Sequence, residues 1–455
     1  MDALRPFTRL LLGLPPSSVR KLPMKLKSIL PCLSLFVAAG NLSRAAESPT
    51  NSPVRLDAIV AEALEKNPEF KFYQAELLAA KAGRRSAGLL ANPEISGTVG
   101  QKRVRDAFGN AAGEGVAWSV SVMQTFEWPG RMSLRKAIAN QDVELAELGL
   151  ERFRVALAGR VRSLAYGVLA AQEKAAAASE VVERFEALRD VLVQRDAAGL
   201  TPVLETRVIE ATTLTMQRKA NDATLAIQTA LLELNQLRGQ PADAPVTVAG
   251  DRLSFRPALG FEPLLALART NNFELRARTV ELAQQGFRVE LARNERYPAI
   301  SVGPMFSEEN AGGRDRILGV GVSFPLPLWN RNSANVESAA ARRMQAEASF
   351  GVVQRGVERK IAESALIYRN KVAALDKWRP DSVEHFREAA ELADRHYRVG
   401  AVPVSTYVEL QKQYLEAVES LLDTRKEALD AALQIEWLTG LAAPLAVSET
   451  KEAKP

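Results

Sequence analysis

The sequence predicts a mainly α-helical chain, built from two copies of one unit, with a small β part suited to a membrane. Three observations carry that prediction: a helical bias in composition, an internal repeat, and two pairs of short segments that alternate large apolar with small polar residues. Of 455 residues, 6% are aromatic and 25% charged, and the commonest runs are Ala, Glu, Leu, Arg and Gln at helical spacing. A bias of this kind favours long helices over compact α/β cores.

The repeat sets the order of elements. Asn92-Pro93-Glu94-Ile95-Ser96-Gly97 returns as Tyr297-Pro298-Ala299-Ile300-Ser301-Val302. Phe126, Pro129, Gly130 and Arg131 are echoed in Phe324-Pro325-Leu326-Pro327-Leu328-Trp329-Asn330-Arg331. Ala198-Gly199-Leu200-Thr201-Pro202 is echoed by Val399-Gly400-Ala401-Val402-Pro403, and Leu237-Arg238-Gly239 by Leu438-Thr439-Gly440. All four pairs lie about 200 residues apart and in one order.

Each copy reads as a helix, two strands, a very long helix, a Gly-x-x-Pro turn and a returning helix. The first helix (about 55–90 and about 261–296) ends before Asn-Pro or Tyr-Pro, because the residue before proline is pushed out of the α region. The first copy covers 46–239, with strands at about 94–103 and 117–128; the second covers 261–440, with strands at about 299–306 and 317–324. Residues 240–260, rich in Pro, Ala and Asp, read as a linker, and 441–455 as a disordered tail.

In the strands, Leu318, Val320, Val322 and Phe324 alternate with Gly319, Gly321 and Ser323. Trp118, Val120, Val122, Phe126 and Trp128 alternate with Ser119, Ser121 and Thr125. A wall with lipid on one face and water on the other needs this period of two, and each run approaches the ~9–11 residues of a tilted membrane strand. Trp118, Phe126, Trp128, Phe324 and Trp329 fall near strand ends, where amphipathic rings favour the headgroup zone. Four alternating strands also suit a small soluble sandwich with one buried face. Within lipid, four strands cannot close a barrel, and open sheet edges are not tolerated there. Several copies must then join: two give eight strands, three give twelve, and the residues do not choose.

The long helix is legible in detail. No proline occurs from Arg131 to Ala198, and Leu150, Leu157, Leu164, Ala171, Ala178, Phe185 and Leu192 recur every seventh residue. Val161, Val168, Ala175 and Val182 form a second row beside them, making one apolar seam. At 1.5 Å per residue such an element reaches about 100 Å.

Residues 1–45 read as an upstream extension and a secretory signal: Lys25 and Lys27 precede the apolar run Ile29–Ala39, and Ser43-Arg44-Ala45 suits a signal peptidase. The single cysteine, Cys32, lies inside that run and leaves with it. The formal charge of +5 also belongs to this leader, which holds seven Lys or Arg against Asp2, so the remainder is near neutral and gives no sign of nucleic-acid binding. No nucleophile elbow, dinucleotide fingerprint or phosphate loop occurs in a fitting context. His385 and His396, eleven residues apart on one expected helix, are about 16 Å apart along it, too far for one metal. Neither an enzyme, nor a cofactor, nor a resident metal is expected.

On these features the mature chain resembles the TolC family of outer-membrane efflux factors. The stretch Phe324-Pro325-Leu326-Pro327-Leu328-Trp329-Asn330-Arg331-Asn332 is similar to its heavy-metal (CzcC-like) branch, which serves RND-type pumps. The resemblance implies a homotrimer, with a twelve-stranded β-barrel in the bacterial outer membrane above a periplasmic α-barrel of twelve helices. It implies partnership with a periplasmic adaptor protein, an inner-membrane RND pump and outer-membrane lipid. It places the adaptor-docking tips at the two turns: Val399, Gly400 and Ala401 match the family's Val-Gly-Leu-like motif, while Gly199 and Leu200 follow Ala198 where Val is usual. Glycine also suits a tight helix–helix turn, so a purely structural reading of both tips stays open. Tyr397 matches a gating tyrosine, and Glu205 and Glu409 fall at acidic gate positions, although both also read as solvated helix charges. Thr406 stands where an aspartate is familiar and Val402 where a gate arginine is, so the closing network must differ.

The expected function is passive conduction of substrate, heavy-metal cations by the resemblance, from pump and adaptor to the exterior. The alternatives are an exit duct for drugs or secreted polypeptides on the same fold, and a soluble periplasmic coiled-coil scaffold.

Overall fold

The computed structural model describes residues 54–196, 203–249, 252–379, 381–441 and 443–449, all within one compact unit. The expected leader, 1–45, lies outside the described residues, as do the tip residues Gly199 and Leu200. Helices α1 (Leu56–Lys66) and α2 (Glu69–Ser86) lead into strands β1 (Glu94–Arg105) and β2 (Ala111–Phe126), and then helices α3 (Arg131–Asp196) and α4 (Val203–Leu237). A short strand β3 (Arg252–Phe255) precedes the second copy: α5 (Phe261–Asn271), α6 (Phe273–Asn294), β4 (Ile300–Asn310) and β5 (Arg314–Ser323). Helices α7 (Ser333–Leu375), α8 (Ser382–Arg398) and α9 (Val404–Thr439) follow, and β6 (Ala446–Glu449) comes last.

The first helix of each copy, expected to be continuous, is two helices. Asn67 and Asn272 break them in the same way. The Asn67 Oδ1 accepts from the Glu69 amide at 2.8 Å, and the Asn272 Oδ1 accepts from Glu274 and Leu275 at 3.0 and 3.1 Å. Each asparagine also donates through Nδ2 to the last turn of its own copy's returning helix, to the Leu237 and Leu438 carbonyls, both at 2.9 Å. An asparagine satisfies orphan helix-end groups that an apolar residue could not. Both returning helices then stop at a glycine in the left-handed region, Gly239 (φ 64°) and Gly440 (φ 61°). A Cβ on Gly239 would press to 2.6 Å from the Lys66 carbonyl oxygen.

The 66-residue α3 spans about 99 Å at 1.5 Å per residue. Its expected seam is largely inside: Leu157, Val161, Val168, Ala178, Phe185 and Leu192 are buried, while Leu150, Leu164, Ala171, Ala175 and Val182 are half-buried. They meet α4, α8 and α9 in one continuous core with Ile209, Tyr407 and Leu415. A smaller core joins α5, α7 and α9 through Leu264, Ile361, Tyr368 and Ile435. Burying such a side chain contributes roughly 1.5–3 kcal/mol. In the second copy the long helix is interrupted: α7 ends at Leu375 and α8 begins at Ser382. In sequence that gap contains a proline at position 380, a residue type with no amide hydrogen to donate, whereas α3 has no proline.

The expected linker and the expected disordered tail each contain a strand. Strand β3 from the first pairs antiparallel with β6 from the second, from Arg252↔Glu449 to Phe255↔Ala446. Backbone groups brought beside a core need partners, and each strand supplies the other's.

The four strands form one antiparallel sheet in the order β1-β2-β4-β5. They run longer than the alternation alone suggested, because charged residues continue the ladder beyond the apolar band: Lys102 and Arg103 in β1, Glu114 in β2, and Glu308 and Glu309 in β4. The outer edges of β1 and β5 have no partner strand among the described residues.

Candidate functional site: a two-faced wall and a helical tip

Register sorts the sheet's side chains into two faces. Ile95↔Val122, Val99↔Trp118, Val120↔Phe306, Val302↔Val322 and Phe306↔Leu318 lie on one face. Most of these side chains are exposed, Val99 to 83% and Leu318 to 82%, while Val302 and Phe306 are half-buried. On the opposite face hydroxyls pair across the strands: Ser96 with Ser121 at 2.8 Å, Thr98 with Ser119 at 2.6 Å, and Thr125 with Ser301 at 2.9 Å. Gly303 faces Gly321 there, and a Cβ on Gly303 would collide with the Val122 carbonyl oxygen. Near the loop end of this polar face Lys102 bonds Glu309, and Asp315 lies 3.7 Å away. An uncovered apolar face backed by a hydroxyl face is the arrangement of a membrane barrel wall.

The aromatics mark two levels rather than one. Trp118, expected near a strand end, lies midway along β2, because β2 runs far beyond the apolar band. Its register partner on β4 is Glu308, where charge begins, and its ring packs on Phe306 at 5.3 Å. Phe126, Trp128, Phe324 and Trp329 gather at the helix end of the sheet, with Trp128 stacked on Tyr297 at 4.8 Å. From Trp118 to Phe126 is eight residues, about 26 Å along a strand. Among the described residues no helix is long and apolar enough to cross a membrane.

At the far end of the helices the second tip is well defined. The Gly400 amide donates to the Tyr397 carbonyl at 2.9 Å and the Ala401 amide to His396 at 2.8 Å, with Gly400 at φ 76°. This pair of bonds ends a helix with a left-handed residue, which glycine adopts without strain. Val399, 78% exposed, and Ala401 project from it.

Two of the three expected gate residues meet. The buried Tyr397 of α8 donates its hydroxyl to the Glu205 carboxylate in the first turn of α4, at 3.1 Å. Its ring stacks on Tyr407 at 5.3 Å, and Tyr407 in turn abuts Phe185 at 5.2 Å. Glu409 stands apart: it is exposed and accepts from Gln413 one turn along its own helix, at 2.8 Å. Thr406 is exposed, and Val402 packs on the apolar core. Burial, aided by nearby Asp394, pushes the Tyr407 hydroxyl above its ordinary range, so it stays protonated, and it has no hydrogen-bond partner among the described residues.

A polar junction behind the tip was not expected. Arg184 of α3, mostly covered, donates to Glu180 at 2.6 Å, to Gln411 at 3.1 Å and to Glu391 at 3.3 Å. Arg387 and the Tyr414 hydroxyl reach the same Glu180 at 3.1 and 3.2 Å. The four-residue spacings Glu180–Arg184 and Arg387–Glu391 are visible in the sequence, but they read there as ordinary helix pairs. Only packing of α3, α8 and α9 brings them to one place. Among the described residues no three His, Cys, Asp or Glu side chains are grouped to hold a metal.

A bilayer-spanning sheet on long periplasm-sized helices defines a class, the outer-membrane channels. The outer membrane efflux protein family model matches residues 59–240 and 264–441, and the chain belongs to that family. The cobalt-zinc-cadmium resistance protein CzcC of Cupriavidus metallidurans is 26% identical over 304 residues, 66% of this chain and 69% of its own. The nickel-cobalt-cadmium resistance protein NccC of Alcaligenes xylosoxydans xylosoxydans is 24% identical over 367 residues, 78% of each chain. In fold, the chain is similar to the CmeC outer membrane channel of Campylobacter jejuni, with a TM-score of 0.69 at 15% identity over 85% of each chain. The protein is thus an outer-membrane efflux channel with a periplasmic part, not an enzyme, and the soluble-scaffold alternative is set aside.

Proposed function

We propose that the chain works as a homotrimer, taking heavy-metal cations from an inner-membrane RND pump and a periplasmic adaptor and conducting them passively to the exterior. The observation that carries this reading is the four-stranded sheet with one lipid-suited face, one hydroxyl face and two open edges. Open edges in hydrocarbon leave several kcal/mol of unmet hydrogen bonding per group. Pairing β5 of one copy with β1 of the next removes them, and three copies give twelve strands around a hydroxyl-lined lumen.

The metal cargo is supported by the resistance proteins to which the chain is similar. Energy and most substrate choice come from the pump, and this protein supplies a gated aqueous path. The tips at Gly199-Leu200 and Val399-Gly400-Ala401 dock the adaptor, and the Tyr397–Glu205 contact holds the tunnel closed at rest, with Glu409 a separate acidic group on α9.

A deletion strain tested against zinc, cobalt, cadmium and copper beside a panel of hydrophobic drugs decides the cargo. Metal sensitivity restored by the wild-type gene supports the proposal. Sensitivity to the drugs alone refutes it.

A further inference from the structure

We infer that the cavity where α6 and α7 meet beneath the sheet binds the phosphate headgroup of an anionic phospholipid from the periplasm-facing leaflet. The cavity holds about 570 Å³ and is lined by Arg293, Arg296 and Arg331 with Tyr297, Glu290 and Glu337. Arg293 is neutralised by Glu290 at 2.8 Å. Arg296 and Arg331 make no ion pair among the described residues, and of the lining carboxylates only Glu337 remains to oppose them. Two exposed guanidinium groups thus share a concave site with net positive charge.

Position identifies the ligand. Arg296 lies four residues before β4 begins, and Arg331 eight residues after β5 ends, so both sit at the helix end of the membrane sheet. Tyr297, in the cavity wall, carries the stacked Trp128 ring of the interfacial level. Just before Arg331, the side chains of Leu326, Leu328 and Trp329 are exposed, Trp329 to 94%. Apolar side chains that dip into acyl chains, beside arginines at headgroup depth, match a phospholipid in both its parts. A guanidinium bonds phosphate oxygens in a bidentate fork, and a site of net positive charge favours headgroups that lack the compensating ammonium of choline or ethanolamine, as basic pockets at headgroup depth take anionic lipids.

The inference rests on the barrel lying in the outer membrane, and that reading fails by a separate measurement, absence of the chain from the outer-membrane fraction. The direct test is native mass spectrometry of the full detergent-purified oligomer mixed with phosphatidylglycerol or phosphatidylcholine. Phosphatidylglycerol should bind the wild type at least tenfold more tightly. Arg296→Gln with Arg331→Gln should abolish that preference, Arg296→Lys with Arg331→Lys should keep part of it, and Arg343→Gln with Arg359→Gln, farther along α7, should leave it intact. The same spectra report the oligomer, so a folding failure is visible. Equal binding of the two lipids by the wild type overturns the inference, as does an unchanged preference in the double glutamine variant. Displacement of the lipid by millimolar inorganic phosphate would reveal a free-anion site instead. Dissociation of the glutamine variant would show that the arginines meet a neighbouring copy, and either result also overturns it.

Discussion

Removing one hydroxyl tests the proposed gate. Tyr397→Phe deletes the hydrogen bond to Glu205 while leaving the ring on Tyr407, 5.3 Å away, undisturbed. A hydrogen bond to a charged acceptor contributes roughly 1.5–3 kcal/mol, and partial exposure of Glu205 reduces this to about 1 kcal/mol. In the proposed trimer the bond occurs three times, about 3 kcal/mol between α8 and α4. At about 1.4 kcal/mol per tenfold change, loss of all three shifts a closed–open equilibrium by roughly a hundredfold. Conductance of the purified oligomer in a planar bilayer measures this directly, as a rise in open probability from a low baseline. Glu205→Ala, which leaves no side-chain acceptor, should act in the same direction, and the double variant should add little to either, since both remove one interaction. Glu409→Gln should change it little, because that carboxylate bonds only within its own helix among the described residues. Wild-type conductance in Tyr397→Phe, or full additivity of the two tip variants, would refute the reasoning.

Other perturbations probe the wall, the tip and the helix junctions. Val320→Arg places a charge on the exposed apolar face at a cost of about 2–4 kcal/mol, so the proposed trimer should be lost from the outer membrane, whereas Ser119→Arg on the opposite face should assemble and alter conductance. Gly400→Val meets no neighbour but strains a backbone at φ 76° by about 1–2 kcal/mol; metal resistance should fall while the oligomer persists on gels. Asn272→Ala removes two amide caps and the bond to Leu438, and should lower the thermal midpoint by an amount equivalent to about 1–3 kcal/mol. Glu62 gives a pH test: burial raises its pKa, but bonds from Arg238, Gln240 and Lys66 outweigh this and hold it below the ordinary carboxylate value. A depressed folded value means that its stabilisation is present above the unfolded pKa and lost as pH falls through the folded one. Glu62→Gln should therefore lower the melting temperature at neutral pH and leave it nearly unchanged under strong acid.

By itself the sequence determined what local periodicity and repetition encode. The two copies, the seam of α3, the alternation of β2 and β5 and the glycine turn at Gly400 were all readable, because each depends on neighbours within a few residues or on one segment resembling another. Placed in lipid, four strands with one apolar face would also require association, since unmet edges there are costly whatever the detailed fold. Tertiary structure alone decided which distant groups meet. Tyr397 and Glu205 are 192 residues apart, and nothing near either in the chain distinguishes Glu205, which bonds across helices, from Glu409, which does not. Asn67 and Asn272 gain their bonds to Leu237 and Leu438 only when the returning helices arrive beside them. The tail became a strand only because β3 was there to pair with it. Arg296 and Arg331 share a cavity only because α6 and α7 pack together beneath the sheet. Helical and strand periods are written in backbone geometry, whereas long-range polar contacts depend on how whole helices pack, and no short stretch of residues carries that information.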